Sequence, residues 1–169
     1  MNTDPYWLGW AAGIVDGEGC IQIVKRQGVK GYTYYLTRLS VTNTDPRVTE
    51  RFKAAFGGSI SRQRMMKSTR QKTKYQWMVN ATKAERIILL LRPWLLVKAE
   101  QADIALAARQ YRQYGARSLG PYGGTTDQNA LEWLRRELRR LKVIEWPAEQ
   151  SHQGGPSQGG ADAQSRLFS

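Results

Sequence analysis

The spacing of apolar and polar positions changes several times along the chain, and each change predicts an element. Residues 5–16 carry a dense apolar run, from Trp7 and Leu8 through Ala11, Ala12, Ile14 and Val15, which predicts a buried helix. Asp4 can cap it, and Pro5 suits its first turn. The period then falls to two. Residues 20–27 and 32–43 predict strands joined across Gly28 and Gly31. In the second strand Tyr35, Thr37, Leu39 and Val41 alternate with Tyr34, Leu36, Arg38 and Ser40. That alternation predicts a half-buried sheet with a polar, basic outer face. Asp45-Pro46 opens a second helix, which Gly57-Gly58 closes. Residues 59–67 and 74–81 predict a second strand pair. Tyr75, Trp77 and Val79 form the inward set of the latter. In the former, Ser59, Ser61 and Gln63 oppose Ile60, Arg62 and Arg64, and the pattern leaves open which set faces in.

The remainder is helical in pattern. Thr82 can cap a helix over 83–95 that Pro93 interrupts, and a further helix is predicted over 96–113. Residues 115–124 predict a loop, and 127–145 an amphipathic basic helix. From 147 to 169 the composition turns to Gln, Gly and Ser, which predicts a disordered polar tail. The chain therefore divides into a core over 1–114, a loop and packing helix over 115–146, and the tail. The order α-ββ-α-ββ-α-α-α predicts an α+β fold, an antiparallel sheet with helices on one side.

Charge and composition narrow the function. The 169 residues carry a formal charge of +12, with 41% hydrophobic and 10% aromatic residues, which fits a folded basic protein and points to nucleic acid. A single cysteine, Cys20, excludes an internal disulfide, and with the single His152 it argues against a zinc centre. A metal here would be a hard ion on oxygen ligands. No apolar run is long enough for a membrane span, and MNTDPYWLGW lacks a basic, cleavable signal pattern. The expected location is intracellular: cytoplasmic or nucleoid, or organellar if an organelle encodes the gene.

The stretch AAGIVDGEGC, residues 11–20, sets two acids on a glycine-spaced turn after an apolar helix. Carboxylates at a helix C-terminus oppose its dipole, so Asp16 and Glu18 need compensation by a divalent cation or nearby basic groups. Asp16 also suits ordinary Asp-Gly turn chemistry. Gly9, Gly13 and Gly17 recur every four residues on one helical face. Each glycine costs roughly 1 kcal/mol of helix propensity, which close approach of another backbone, or packing on the protein's own sheet, would offset. Gln22, Arg26, Arg38, Ser40, Arg62, Arg64, Lys74 and Gln76 are residue types that read base edges or hold phosphates, and with Val24 and Tyr34 they form a candidate DNA-binding surface. Lys98 and Arg47, each near a helix start, read in isolation as solvated cations.

AAGIVDGEG resembles the motif of the LAGLIDADG homing endonucleases: Ala12, Gly13, Asp16 and Gly19 match, and Glu18 stands at the last acidic position. RPWLLVKAEQA (92–102) resembles the segment that carries the family's active-site lysine, at Lys98, and VTNTDPRV (41–48) resembles its second-strand end, with Asn43 and Arg47 at the polar and basic positions. The resemblance spans about residues 6–114. It implies the αββαββα fold with a saddle-shaped sheet. One motif implies the homodimeric class, with Gly9, Gly13 and Gly17 at the interface. It further implies a site-specific endonuclease that makes a staggered break in a long, nearly palindromic double-stranded DNA site. Glu18 and the Gly17 carbonyl would hold Mg²⁺ or Mn²⁺, with Lys98, Asn43 and Arg47 as further catalytic residues. Glu18 departs from the motif's aspartate by one methylene, and Asn43 is shorter than the glutamine frequent there. The same fold also serves intron maturases, for which the partner is intron RNA, and catalytically silent nucleic-acid-binding regulators.

A dimer of so basic a chain should lose DNA affinity steeply as salt rises, by counterion release. The check is a binding titration at several salt concentrations, and a flat dependence would count against the sheet as a DNA surface.

Overall fold

The computed structural model describes residues 4–28, 31, 33–63, 73–118 and 127–143. The chain begins with α1 (Pro5–Glu18), β1 (Gly19–Gln27) and β2 (Thr33–Asn43), followed by α2 (Pro46–Phe56). Strands β3 (Ser59–Gln63) and β4 (Lys74–Asn80) come next, and then α3 (Ala81–Leu91) with a 3₁₀ turn at Arg92–Trp94. Helices α4 (Ala99–Ser118) and α5 (Gln128–Arg140) complete it. The four strands form one antiparallel sheet in the order β1-β2-β4-β3. This is the predicted α+β order.

Local chemistry explains most boundaries. The Asp4 carboxylate accepts the Tyr6 N–H at 3.0 Å and caps α1. Asp45 likewise caps α2 through the Arg47 N–H at 2.9 Å. Gly57 and Gly58 both take positive φ after α2, where a glycine meets least resistance. A Cβ on Gly58 would also come within 2.7 Å of the Met78 carbonyl oxygen. Several boundaries differ from the sequence expectation, among them the start of α4, at Ala99 rather than 96, and the end of α5, at Arg140 rather than 145. Helix α1 continues to Glu18, because Gly17 stays helical. Helix α3 starts at Ala81 with Asn80 in the cap position, so Thr82 lies inside it. Helix α4 runs through Gly115 to Ser118, where a loop was expected. The tail over 147–169, most of the expected 115–124 loop and the end of the expected 59–67 strand lie outside the described residues.

The core forms where the helices meet one face of the sheet. Tyr35, Leu39, Val41, Trp77 and Val79 from β2 and β4 are buried with Ile21 and Ile23 of β1. Leu8, Ala11, Ala12 and Val15 of α1 and Ile87, Ile88 and Leu91 of α3 join them. Trp77 is fully buried, stacks near Phe52 with ring centroids 5.0 Å apart, and donates its indole N–H to the Gly57 carbonyl at 2.7 Å. Helix α5 lies against β1. Its Leu131, Leu134 and Leu138 are buried, and its Glu132 accepts the Tyr35 hydroxyl at 2.9 Å. Burial and that hydrogen bond to Glu132 push the Tyr35 hydroxyl pKa up.

The end of α1 is fastened to the start of α4. The Asp16 carboxylate accepts the Leu96 N–H and the Lys98 N–H, each at 2.8 Å. The Lys98 ammonium in turn donates to the Asp16 carbonyl. The contact places a carboxylate just before the first turn of α4, the favourable end of that dipole, and a cation at the last turn of α1. Asp16 therefore has a structural task, and among the described residues Glu18 shows no hydrogen bond or ion pair of that kind. Replacing Asp16 by Ala should lower stability by about 1–3 kcal/mol, since two backbone donors lose a charged acceptor. A urea unfolding midpoint reads this directly, and an unchanged midpoint would contradict it.

Candidate active site and nucleic-acid interface

Helix α1 delivers Glu18 as its last residue, and the chain turns at once into β1. The turn is tight enough to require Gly19: a Cβ there would sit 2.5 Å from the Val15 carbonyl oxygen. Glu18 is exposed and lines a cavity of about 320 Å³ with Thr42, Asn43, Thr44 and Lys74. Its carboxylate is a hard oxygen donor of the kind Mg²⁺ takes. Among the described residues no three His, Cys, Asp or Glu side chains gather as a metal site. The described residues thus offer one carboxylate here, Glu18, with exposed Gly17 beside it.

The other expected catalytic residues divide. Asn43 shares the Glu18 cavity, but its side-chain oxygen already accepts the Asp45 N–H at 2.8 Å in the turn leading to α2. Its amide NH₂ is the part left to reach outward. Lys98, held by Asp16, lines a neighbouring cavity with Gly19, Cys20, Gln101 and Lys142. Arg47 lines neither. It is 84% exposed and pairs with Asp45, with its Nε 3.0 Å from both carboxylate oxygens. Hydrogen bonding to Arg47 holds the Asp45 carboxyl below its ordinary pKa, and the same bonds push Arg47 up.

The α1 face expected to meet a second backbone is open at two of its three glycines. Gly13 and Gly17 are exposed, and a Cβ on either would meet nothing within 4 Å. Gly9 differs, because its Cβ would touch Trp94 of the same chain at 3.8 Å. Tyr6 on this helix is 90% exposed, and nearby Leu96 85% exposed, so the open strip has apolar company.

Strand register sorts the candidate DNA-binding residues by face. Gln22 pairs with Arg38, Val24 with Leu36, and Arg26 with Tyr34, all on the face away from the buried Ile21, Ile23, Tyr35 and Leu39. Gln76 and Lys74 alternate with buried Trp77 and lie on the same outer face. Two candidates are corrected. Ser40 is only 4% exposed, a short side chain set between its longer cross-strand neighbours Cys20 and Met78. Arg62 is exposed, but its register opposite Tyr75 puts it on the helix side with Ile60, which pairs with Trp77. Arg64 lies outside the described residues. The outer face of β3 consists instead of Ser59, Ser61 and Gln63, and the Gln63 amide donates to Gln76 at 3.5 Å. Asn80 also belongs there, accepting from Arg38 Nε at 2.9 Å. The signal that could have found these residues is Ile60, the single aliphatic of β3, whose burial sets the parity.

The outer face continues onto α5. A recess of about 240 Å³ is lined by Gln22, Val24 and Arg38 together with Arg135, Arg139 and Lys142. The expected basic outer surface is thus present, with an added rim from α5. Among the described residues no helix is long and apolar enough to cross a membrane.

No family model matches the chain, and no curated protein matches it. Solved structures do match. The homing endonuclease I-CvuI, in complex with the I-CreI target, superposes with a TM-score of 0.62 at 18% identity, covering 84% of this chain and 85% of that one. The archaeal intron-encoded homing endonuclease I-Vdi141I, complexed with DNA, gives 0.59 at 20% identity over 80% and 84%. The LAGLIDADG homing endonuclease I-SmaMI, bound to cleaved DNA, gives 0.59 at 18% identity over 80% of this chain but only 45% of its own. The chain has the LAGLIDADG homing endonuclease fold.

Proposed function

We propose that this protein is a site-specific, divalent-metal-dependent endonuclease of double-stranded DNA that works as a homodimer. The observation that carries the reading is Glu18: an exposed carboxylate, released from structural duty by Asp16, at the edge of a basic and polar sheet face. The length relation to I-SmaMI supports two copies per active unit, since this chain spans under half of that one.

In this reading the Gly13 and Gly17 strip of α1 meets its own copy, bringing two Glu18 side chains together over the minor groove. Mg²⁺ or Mn²⁺ held there by Glu18 and the Gly17 carbonyl would act as a Lewis acid on the scissile phosphate and lower the pKa of an attacking water. Asn43 positions solvent with its free amide NH₂. Lys98, steadied on the Asp16 carbonyl, offsets charge developing at phosphorus. Arg47 reaches the phosphate by exchanging its Asp45 partner for a DNA oxygen. The outer faces of the two sheets enter the major groove on either side, where Gln22, Arg26, Arg38 and Gln76 have the donors and acceptors to read base edges. Two-fold symmetry calls for a nearly palindromic site and a staggered double-strand break.

Glu18→Gln should abolish cleavage while leaving DNA binding within a few fold of wild type. The check is to screen duplexes with randomised centres in Mg²⁺ and sequence the cut ends, then to measure binding of the recovered site in Ca²⁺. Undiminished cutting by the variant would remove Glu18 from the site. Specific binding by wild type without any cut would favour a silent regulator, and neither binding nor cutting would direct the search to intron RNA.

A further inference from the structure

We infer that Lys74 is a catalytic residue of this site, the cation that faces the scissile phosphate from the strand side. The inference rests on the endonuclease reading above. Among the described residues it is the one cation lining the cavity that Glu18 and Asn43 share. The two basic residues expected to serve the reaction do not line this cavity: Arg47 pairs with Asp45, and Lys98 bonds the Asp16 carbonyl and lines the neighbouring cavity. Lys74 has no carboxylate partner among the described residues.

Its position in the sheet explains how it gets there. Lys74 opens β4 opposite Gln63, one residue before Tyr75 pairs with Asn43 at the end of β2. It therefore stands on the outer face, past the last paired residue of β2, where the chain turns toward α2. The Glu18 carboxylate approaches the same space from the end of α1. A phosphate drawn between them would meet a carboxylate that can hold a metal on one side and an ammonium on the other. As water attacks, the P–O bond to water forms and the P–O bond to the leaving sugar oxygen breaks, and negative charge grows on the non-bridging oxygens. Lys74 stabilises that charge without exchanging a proton, so the balance of the hydrolysis is unchanged. A cation already beside the site is worth more at that moment than in the ground state.

The test uses the full chain and the DNA site recovered by cutting a pool of randomised duplexes with wild-type protein in Mg²⁺. Lys74→Met and Lys74→Arg are compared with wild type by single-turnover cleavage and by binding in Ca²⁺. Lys74→Met should cut about 10²–10³-fold more slowly, the range for loss of one preorganised charge stabiliser. Its binding should weaken less than about tenfold, the loss expected of roughly one phosphate contact. Lys74→Arg should recover most of the rate. A Met variant that cuts within threefold of wild type, or whose loss of rate is matched by its loss of binding, overturns the assignment while leaving the endonuclease reading intact. If wild-type protein cuts no duplex in the pool, the endonuclease reading falls and takes this assignment with it.

Discussion

The Asp16 carboxylate, bonded to the N–H groups of Leu96 and Lys98, is the contact on which the site's geometry depends. It joins residues 80 and 82 positions apart, the end of α1 and the entry to α4. Both helices gain, because α4 receives an anion at its positive end and α1 receives the Lys98 ammonium at its negative end. The next acid, Glu18, is thereby placed as the last residue of α1, directly before the Gly19 fold-back, exposed at the end of the helix. Two acids in a strongly basic protein thus differ in their surroundings: the first joins two helices, and the second is exposed.

The same helix separates its faces by side-chain size. Leu8, Ala11, Ala12 and Val15 are buried against the core, and the opposite strip is bare backbone at Gly13 and Gly17. An exposed glycine strip costs helix propensity and gains nothing within one chain. A second helix lying against it would recover that cost by close packing, and would bring the second Glu18 within reach of the first. Among the described residues no cluster of metal ligands forms, and the proposed pairing of two chains would account for that and for the bareness of the strip together.

Much of this was legible in the sequence, and the exceptions share a physical origin. The alternation of Tyr35, Thr37, Leu39 and Val41 marks the buried face of β2 because three of the four are apolar and all four are buried. In β3 a single Ile60 had to decide the parity, and without its partner Trp77 the choice between Arg62 and Gln63 was open. Ser40 has the right parity but too short a side chain to emerge between Cys20 and Met78, and cross-strand neighbours are invisible along one strand. The Arg47–Asp45 pair spans only two residues, so it is legible locally, with the α2 cap serving also as a charge partner. The structural part of Asp16 lies in distant backbone donors, which no local pattern discloses. The expected loop over 115–124 begins with a glycine, yet α4 carries through Gly115 to Ser118.

The central claim is that the bare strip of α1 joins two chains and so completes a site each holds in half. Sedimentation equilibrium of wild type and Gly13→Leu tests it most directly. A leucine there has open space in the single chain and improves helix propensity, so the variant should fold. The account predicts that wild type sediments at twice the 19.2 kDa chain mass and that Gly13→Leu sediments as a folded monomer. A wild-type monomer with and without DNA, or a dimer that the leucine leaves untouched, would contradict it.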